Sequence, residues 1–157
     1  MGVAQVREVL EAGGLGHRYV ECAGSSATVA LAAKALGCEE GRIAKTLAFA
    51  TSSGPVVIVA MGTARLSNGK FKAAFGEKAR FPSAQDLPGL IGHPAGGVCP
   101  FALKDGVRVF LDESLKAYDP VYPAAGASNN AVRLSLEELE RITGGVWVDV
   151  CVVPEPV

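Results

Sequence analysis

The stretch Arg42-Ile43-Ala44-Lys45-Thr46-Leu47-Ala48-Phe49 decides the architecture of this chain. It reads as a strand over residues 42–50 whose apolar residues Ile43, Leu47 and Phe49 point one way. Just beyond it, Thr51-Ser52-Ser53-Gly54 is a polar hairpin-like turn, and Pro55-Val56-Val57-Ile58-Val59-Ala60-Met61 supplies the returning strand. Lys45 shares the parity of the apolar three, so period 2 projects it toward the apolar face rather than into water. An unpaired buried ammonium is costly. Either Lys45 is a cation held beside a pocket, or its stem packs while its head snorkels to solvent.

Working outward, residues 3–12 read as a helix with Val3, Val6 and Leu10 at helical spacing, stopped by Gly13-Gly14. Residues 18–22 are a short strand. Ser26 offers a cap for an Ala-rich helix over 27–36, and Gly37 ends it in a left-handed cap. Downstream, residues 69–75 and 84–90 read as short helices, the second capped by Ser83 and disturbed by Pro88. Residues 92–97 are loop by composition. Strands follow near 107–111, 121–125 and 131–134. Ser135-Leu136-Glu137-Glu138 is a capping box opening a helix to about 142, closed by Gly144-Gly145, and residues 146–152 form a last strand. Strands outnumber helices without strict alternation, which predicts an α+β fold with a mixed or antiparallel sheet.

The chain has 157 residues, 49% of them hydrophobic and 20% charged, which excludes disorder. It is long enough to bury ~70% of its unfolded surface in one core, and it reads as a single domain over 1–157. The longest apolar run, at 55–61, is far short of the ~20 residues of a membrane span. The N-terminus lacks the apolar core of a signal peptide, and a cytoplasmic location is expected. Cys22, Cys38, Cys99 and Cys151 are scattered without a C-x-x-C pair and with only His17 and His93 beside them. That spacing supports neither a zinc site nor a redox motif.

The net charge of −1 hides an uneven distribution. Residues 65–104 carry Arg65, Lys70, Lys72, Lys78, Arg80 and Lys104 against Glu77 and Asp86, while the rest of the chain is acidic. Such a basic middle is either a phosphate-binding footprint or a solvated helix face.

Gly92-His93-Pro94-Ala95-Gly96-Gly97-Val98-Cys99-Pro100 is the second strong feature. Gly96 and Gly97 can bring their N–H groups close to a ligand, as an oxyanion site requires, or make a tight connection with no ligand. Pro100 fixes the exit. Cys99 is a nucleophile only if a base such as His93 touches it, and otherwise a small packed thiol. Ala124-Ala125-Gly126-Ala127-Ser128-Asn129-Asn130 offers hydroxyl and amide groups beside a pocket, and is equally good turn chemistry. The fixed-spacing signatures of common enzymes are absent.

These pieces, in this order over residues 17–150, resemble the YbaK/prolyl-tRNA synthetase-associated domain family of aminoacyl-tRNA deacylases. Ala44-Lys45-Thr46-Leu47 is similar to its Lys-Thr-Leu strand, and Gly96-Gly97-Val98-Cys99-Pro100 to its glycine-x-x-x-proline loop. Val109-Phe110-Leu111-Asp112, Ala125-Gly126 and Leu134-Ser135-Leu136-Glu137-Glu138-Leu139 match its C-terminal layout. The resemblance implies a curved mixed sheet, or partial barrel, with flanking helices, and neither metal nor cofactor. It implies a free-standing trans-editing factor that hydrolyses the ester of mischarged tRNA, Cys- or Ala-tRNA(Pro) foremost, with prolyl-tRNA synthetase as a partner and no membrane or DNA. Lys45, Gly96 and Gly97 would serve the chemistry. Thr46, His93, Cys99, Pro100, Gly126, Ser128 and Asn129 would line the substrate, and Arg65, Lys70, Lys72, Lys78 and Arg80 would meet RNA. The alternative on the same fold is a non-catalytic module that binds tRNA, a nucleotide or an amino acid.

Overall fold

The hairpin of residues 43–61 lies in the middle of the main sheet. In the computed structural model, which describes residues 2–22 and 28–154, the elements in chain order are α1 (Val3–Ala12), β1 (Tyr19–Glu21), α2 (Val29–Leu36), β2 (Ile43–Thr51), β3 (Gly54–Met61), β4 (Arg65–Leu66), α3 (Asn68–Phe75), α4 (Leu87–Ile91), β5 (Arg108–Asp112), β6 (Tyr122–Pro123), β7 (Asn130–Val132), α5 (Leu136–Thr143), β8 (Val146–Val148) and β9 (Cys151–Val152). The main sheet runs β6-β2-β3-β5-β8. Only β2–β3 is antiparallel there; β2–β6, β3–β5 and β5–β8 are parallel. The fold is α+β with a curved mixed sheet and flanking helices, as expected.

Both faces of β3 are covered, so its Val56-Val57-Ile58-Val59 run is fully buried and shows no alternation. On one side Phe49, Ile58 and Phe71 pack with Val150. On the other, α1 and α5 bring Val6, Leu10 and Leu139 onto Val59, Leu111 and Leu134. Capping follows local chemistry. Ser135 and Glu138 form the capping box of α5, and Gly37 and Gly144 close α2 and α5 with φ of 68° and 66°.

Several boundaries differ from the sequence reading. Ser26 lies outside the described residues, and α2 is instead capped by Thr28, whose hydroxyl accepts from the Leu31 amide. α4 starts at Leu87 rather than 84, because Ser83 takes the Asp86 amide and Pro88 suits the first turn, where no N–H is needed. The expected strand over 146–152 divides into β8, beside β5, and β9, beside β4. Buried Asp112 causes the break by accepting from the Val150 and Cys151 amides at 2.8 and 3.2 Å. No helix among the described residues is long and apolar enough to cross a membrane.

Candidate active site

β6 accompanies β2 only at Ile43 and Ala44. At the far end of the same edge, the Ala50 amide donates to the Arg80 carbonyl at 2.9 Å. Between those points no strand among the described residues covers β2. Hydrogen bonding in an antiparallel pair alternates, so Thr46 has the outward orientation of Ala50 and presents its main-chain N–H to the gap. A cleft of about 340 Å³ opens there, bounded by α2, by Lys45 and Thr46, by Leu87, by Gly96 and Val98, and by Tyr122, Ala124, Ala127, Ser128, Asn130 and Ala131, but not by Gly126. Its size suits a small ligand. Its wall is mostly apolar, with Ala32, Ala44, Ala124 and Ala131 leaving the space.

Lys45 does share the face of Ile43, Leu47 and Phe49, and it is half-buried. Its ammonium donates to the Ala64 carbonyl just beyond β3. Burial pushes its pKa below the ordinary 10.5; the Cys151 thiol opposes this and Arg65 adds to it. The Thr46 hydroxyl lines the cleft, buried and without a hydrogen-bond partner among the described residues. An unmet buried hydroxyl is costly.

Of the two loop glycines, Gly96 lines the cleft and Gly97 does not. Gly96, with φ of +86°, is exposed on the cleft wall, and no hydrogen bond occupies its amide among the described residues. The Gly97 amide donates within the loop to Pro94 at 3.0 Å, so it is not available to an oxyanion. Gly97 is needed for close approach instead: a Cβ there would stand 2.8 Å from the Gly126 carbonyl. The two loops named by the sequence thus touch at Gly97 and Gly126.

His93, Cys99 and Pro100 lie behind the loop, buried, and do not line the cleft. His93 Nε2 is 2.6 Å from the Phe101 carbonyl, which can only accept, so Nε2 carries the proton. Burial pushes the Cys99 thiol up to about 12. Cys99 Sγ does touch His93 Nε2, at 3.5 Å, but an Nε2 whose proton goes to the Phe101 carbonyl cannot take the thiol's proton, so this is a packed thiol beside a loop-anchoring imidazole.

In the third segment Ser128 lines the cleft, whereas Asn129 is exposed away from it. The residue that the sequence reading missed is Asn130. Its buried Oδ1 accepts from the Ala125 and Ala127 amides at 3.0 and 3.2 Å, and its Nδ2 donates to the Tyr19 hydroxyl and the Ala125 carbonyl at 3.2 and 3.1 Å. Asn130 therefore holds the loop carrying Ser128. Parity gave no signal, because all three residues of β7 are buried.

Of the five basic residues at 65–80, Lys70 is paired with Asp149 and Arg80 with Glu77. Arg65, Lys72 and Lys78 are exposed and have no ion pair among the described residues. No cluster of metal-ligating side chains occurs among the described residues.

This arrangement sits in a chain with clear relatives. Uncharacterized protein YwhH of Bacillus subtilis is 44% identical over 129 residues, 81% of this chain and 82% of that one. The Enterococcus faecalis protein named "Putative Cys-tRNA(Pro)/Cys-tRNA(Cys) deacylase EbsC" is 31% identical, with 75% and 73% of the two chains covered. A crystal structure of "a putative trans-editing enzyme for prolyl tRNA synthetase" superposes with a TM-score of 0.86 at 32% identity, covering 94% of this chain and 95% of that one. Residues 24–142 match the profile of the aminoacyl-tRNA editing domain, and the chain belongs to that family.

Proposed function

We propose that this protein is a single-domain, free-standing cytoplasmic deacylase that hydrolyses the ester of mischarged aminoacyl-tRNA, with Cys- or Ala-tRNA(Pro) as the first substrates to test. The observation that carries the reading is the cleft at the bared edge of β2, where Lys45, Thr46 and Gly96 converge on a space of about 340 Å³. The family match and the names of its relatives support the substrate class.

The chemistry asks little of side chains. An aminoacyl ester is already activated, so catalysis needs a fixed carbonyl and donors for the oxyanion that forms when water adds. In this reading the main-chain amides of Gly96 and Thr46, both residues of the cleft wall, supply those donors. The small residues Ala32, Ala124 and Ala131 bound the amino-acid side chain. Lys45 offers a cation to the terminal phosphate or ribose, exchanging the Ala64 carbonyl for it. The attacking water is oriented by the neighbouring ribose hydroxyl of the tRNA. Collapse of the tetrahedral intermediate expels the 3′ oxygen, which takes a proton, and the products are the free amino acid and uncharged tRNA.

The test is a panel of tRNAs charged with Cys, Ala, Ser, Thr and Pro, incubated with the protein. Hydrolysis of at least one mischarged tRNA, with cognate Pro-tRNA(Pro) spared, is expected. Binding of tRNA with no hydrolysis across the panel would instead make this a binding module.

A further inference from the structure

We propose that Phe81 is a stacking platform for an unpaired base close to the 3′ end of the RNA, with Lys72 and Lys78 holding the neighbouring phosphates. The inference rests on the proposed function, since it assumes an RNA ester in the cleft.

Phe81 is 63% exposed, and a solitary exposed ring would need no explanation. This one is braced. Its inner side packs on Phe49 at 4.8 Å between centroids, and Phe49, fully buried, packs on Phe71 at 4.9 Å. The ring is therefore fixed with its other side open to solvent. The preceding residue is fixed as well, because the Arg80 carbonyl accepts from Ala50 on the edge of β2.

That edge links the ring to the cleft. Ala50 lies four residues along β2 from Thr46, or about 13 Å at the rise of a strand. An RNA chain with its terminal ester at Thr46 would have to span that distance, past Leu87 and Ile91, which cover Ala48, to bring an unpaired base to the ring. Lys72 and Lys78 line one groove with Ala79, two residues before Phe81, and neither has an ion pair among the described residues. A π-face beside unpaired cations is what single-stranded nucleic acid recognises: its bases stack and its phosphates pair. An apolar protein segment would use the ring and leave both lysines unmet.

The experiment uses an RNA stem-loop with an unpaired 3′ tail, 2-aminopurine being placed at one tail position at a time, and the same stem made blunt. Binding of the wild-type protein should change the fluorescence at one position. Phe81→Ala should remove that change and weaken tail-RNA binding roughly 5- to 150-fold, while blunt-stem binding stays within about twofold on the same scale. Phe81→Leu keeps apolar cover over Phe49 and should behave like Ala, and Phe81→Trp should restore stacking. Hydrolysis of an aminoacyl-adenosine, which has no tail, should be unchanged in every variant. Unchanged tail binding in Phe81→Ala overturns the proposal. So does an equal loss on the blunt stem, or a change from oligomer to monomer in sedimentation with RNA affinity intact. A wild-type protein that binds and stacks the tail but deacylates nothing would count against the proposed function alone.

Discussion

At the scale of the residue, Lys45 carries a positive charge into the wall of the cleft. Among the described residues its ammonium has the Ala64 carbonyl as its one hydrogen-bond partner. Lys45→Met keeps most of the stem and removes the charge. Loss of a charge-assisted contact to substrate costs roughly 2–4 kcal/mol, or about 30- to 1000-fold in single-turnover deacylation. A drop smaller than about threefold in a normally folded variant would remove Lys45 from the reaction. The pH dependence has a definite sign. Because burial lowers the pKa below 10.5, the folded protein sheds this proton before the unfolded chain does. The cost of burying the charge is thus present in full at neutral pH and is relieved as pH climbs from the lowered value toward 10.5. Activity that needs the ammonium runs the other way, falling in that same window. Lys45→Arg stays charged throughout and should abolish the fall, as read from rates corrected for spontaneous hydrolysis.

At the scale of the element, the glycine loop works by contact more than by donation. A Cβ at Gly97 would press on the Gly126 carbonyl at 2.8 Å, so Gly97→Ala must part the two loops that flank the cleft. Misplacement of about 1 Å costs on the order of 100-fold in rate; the expectation is a loss of that size in deacylation with the melting temperature nearly unchanged. Full turnover by Gly97→Ala would reduce the loop to a connection. Local signals made much of this level legible. The β2–β3 hairpin, the Ser135–Glu138 box and the glycine caps at 37 and 144 depend on neighbours within a few residues. What escaped depends on distant ones. The break between β8 and β9 is set by Asp112, and the use of the Gly97 amide by Pro94 is a matter of loop geometry. Asn129 and Asn130 look alike in sequence, yet only the second turns inward to hold the 125–127 backbone.

At the scale of the whole molecule, a chain of net charge −1 concentrates positive charge at 65–80, and ion pairing divides that charge into two kinds. Lys70 and Arg80 are paired with Asp149 and Glu77, so the proposed RNA footprint contracts to Arg65, Lys72 and Lys78. The double variant Lys72→Gln/Lys78→Gln should lower the slope of log affinity against log salt by about 1.4–1.8. An unchanged slope would show that these lysines meet only solvent. The cleft itself could not be read as a unit from the sequence. Its walls come from residues 28–46, 87–98 and 122–131, stretches that meet only when the sheet is complete. That dispersal has a thermodynamic consequence. A ligand that fills the cleft finds no partial version of it on the unfolded chain, so its binding energy is added whole to the folded state, about 2.7 kcal/mol at a hundred times Kd. Heating the protein with a series of non-hydrolysable aminoacyl-adenosine analogues therefore ranks the amino acids by fit. The side chain that delays melting most is the one whose ester this cleft is shaped to receive.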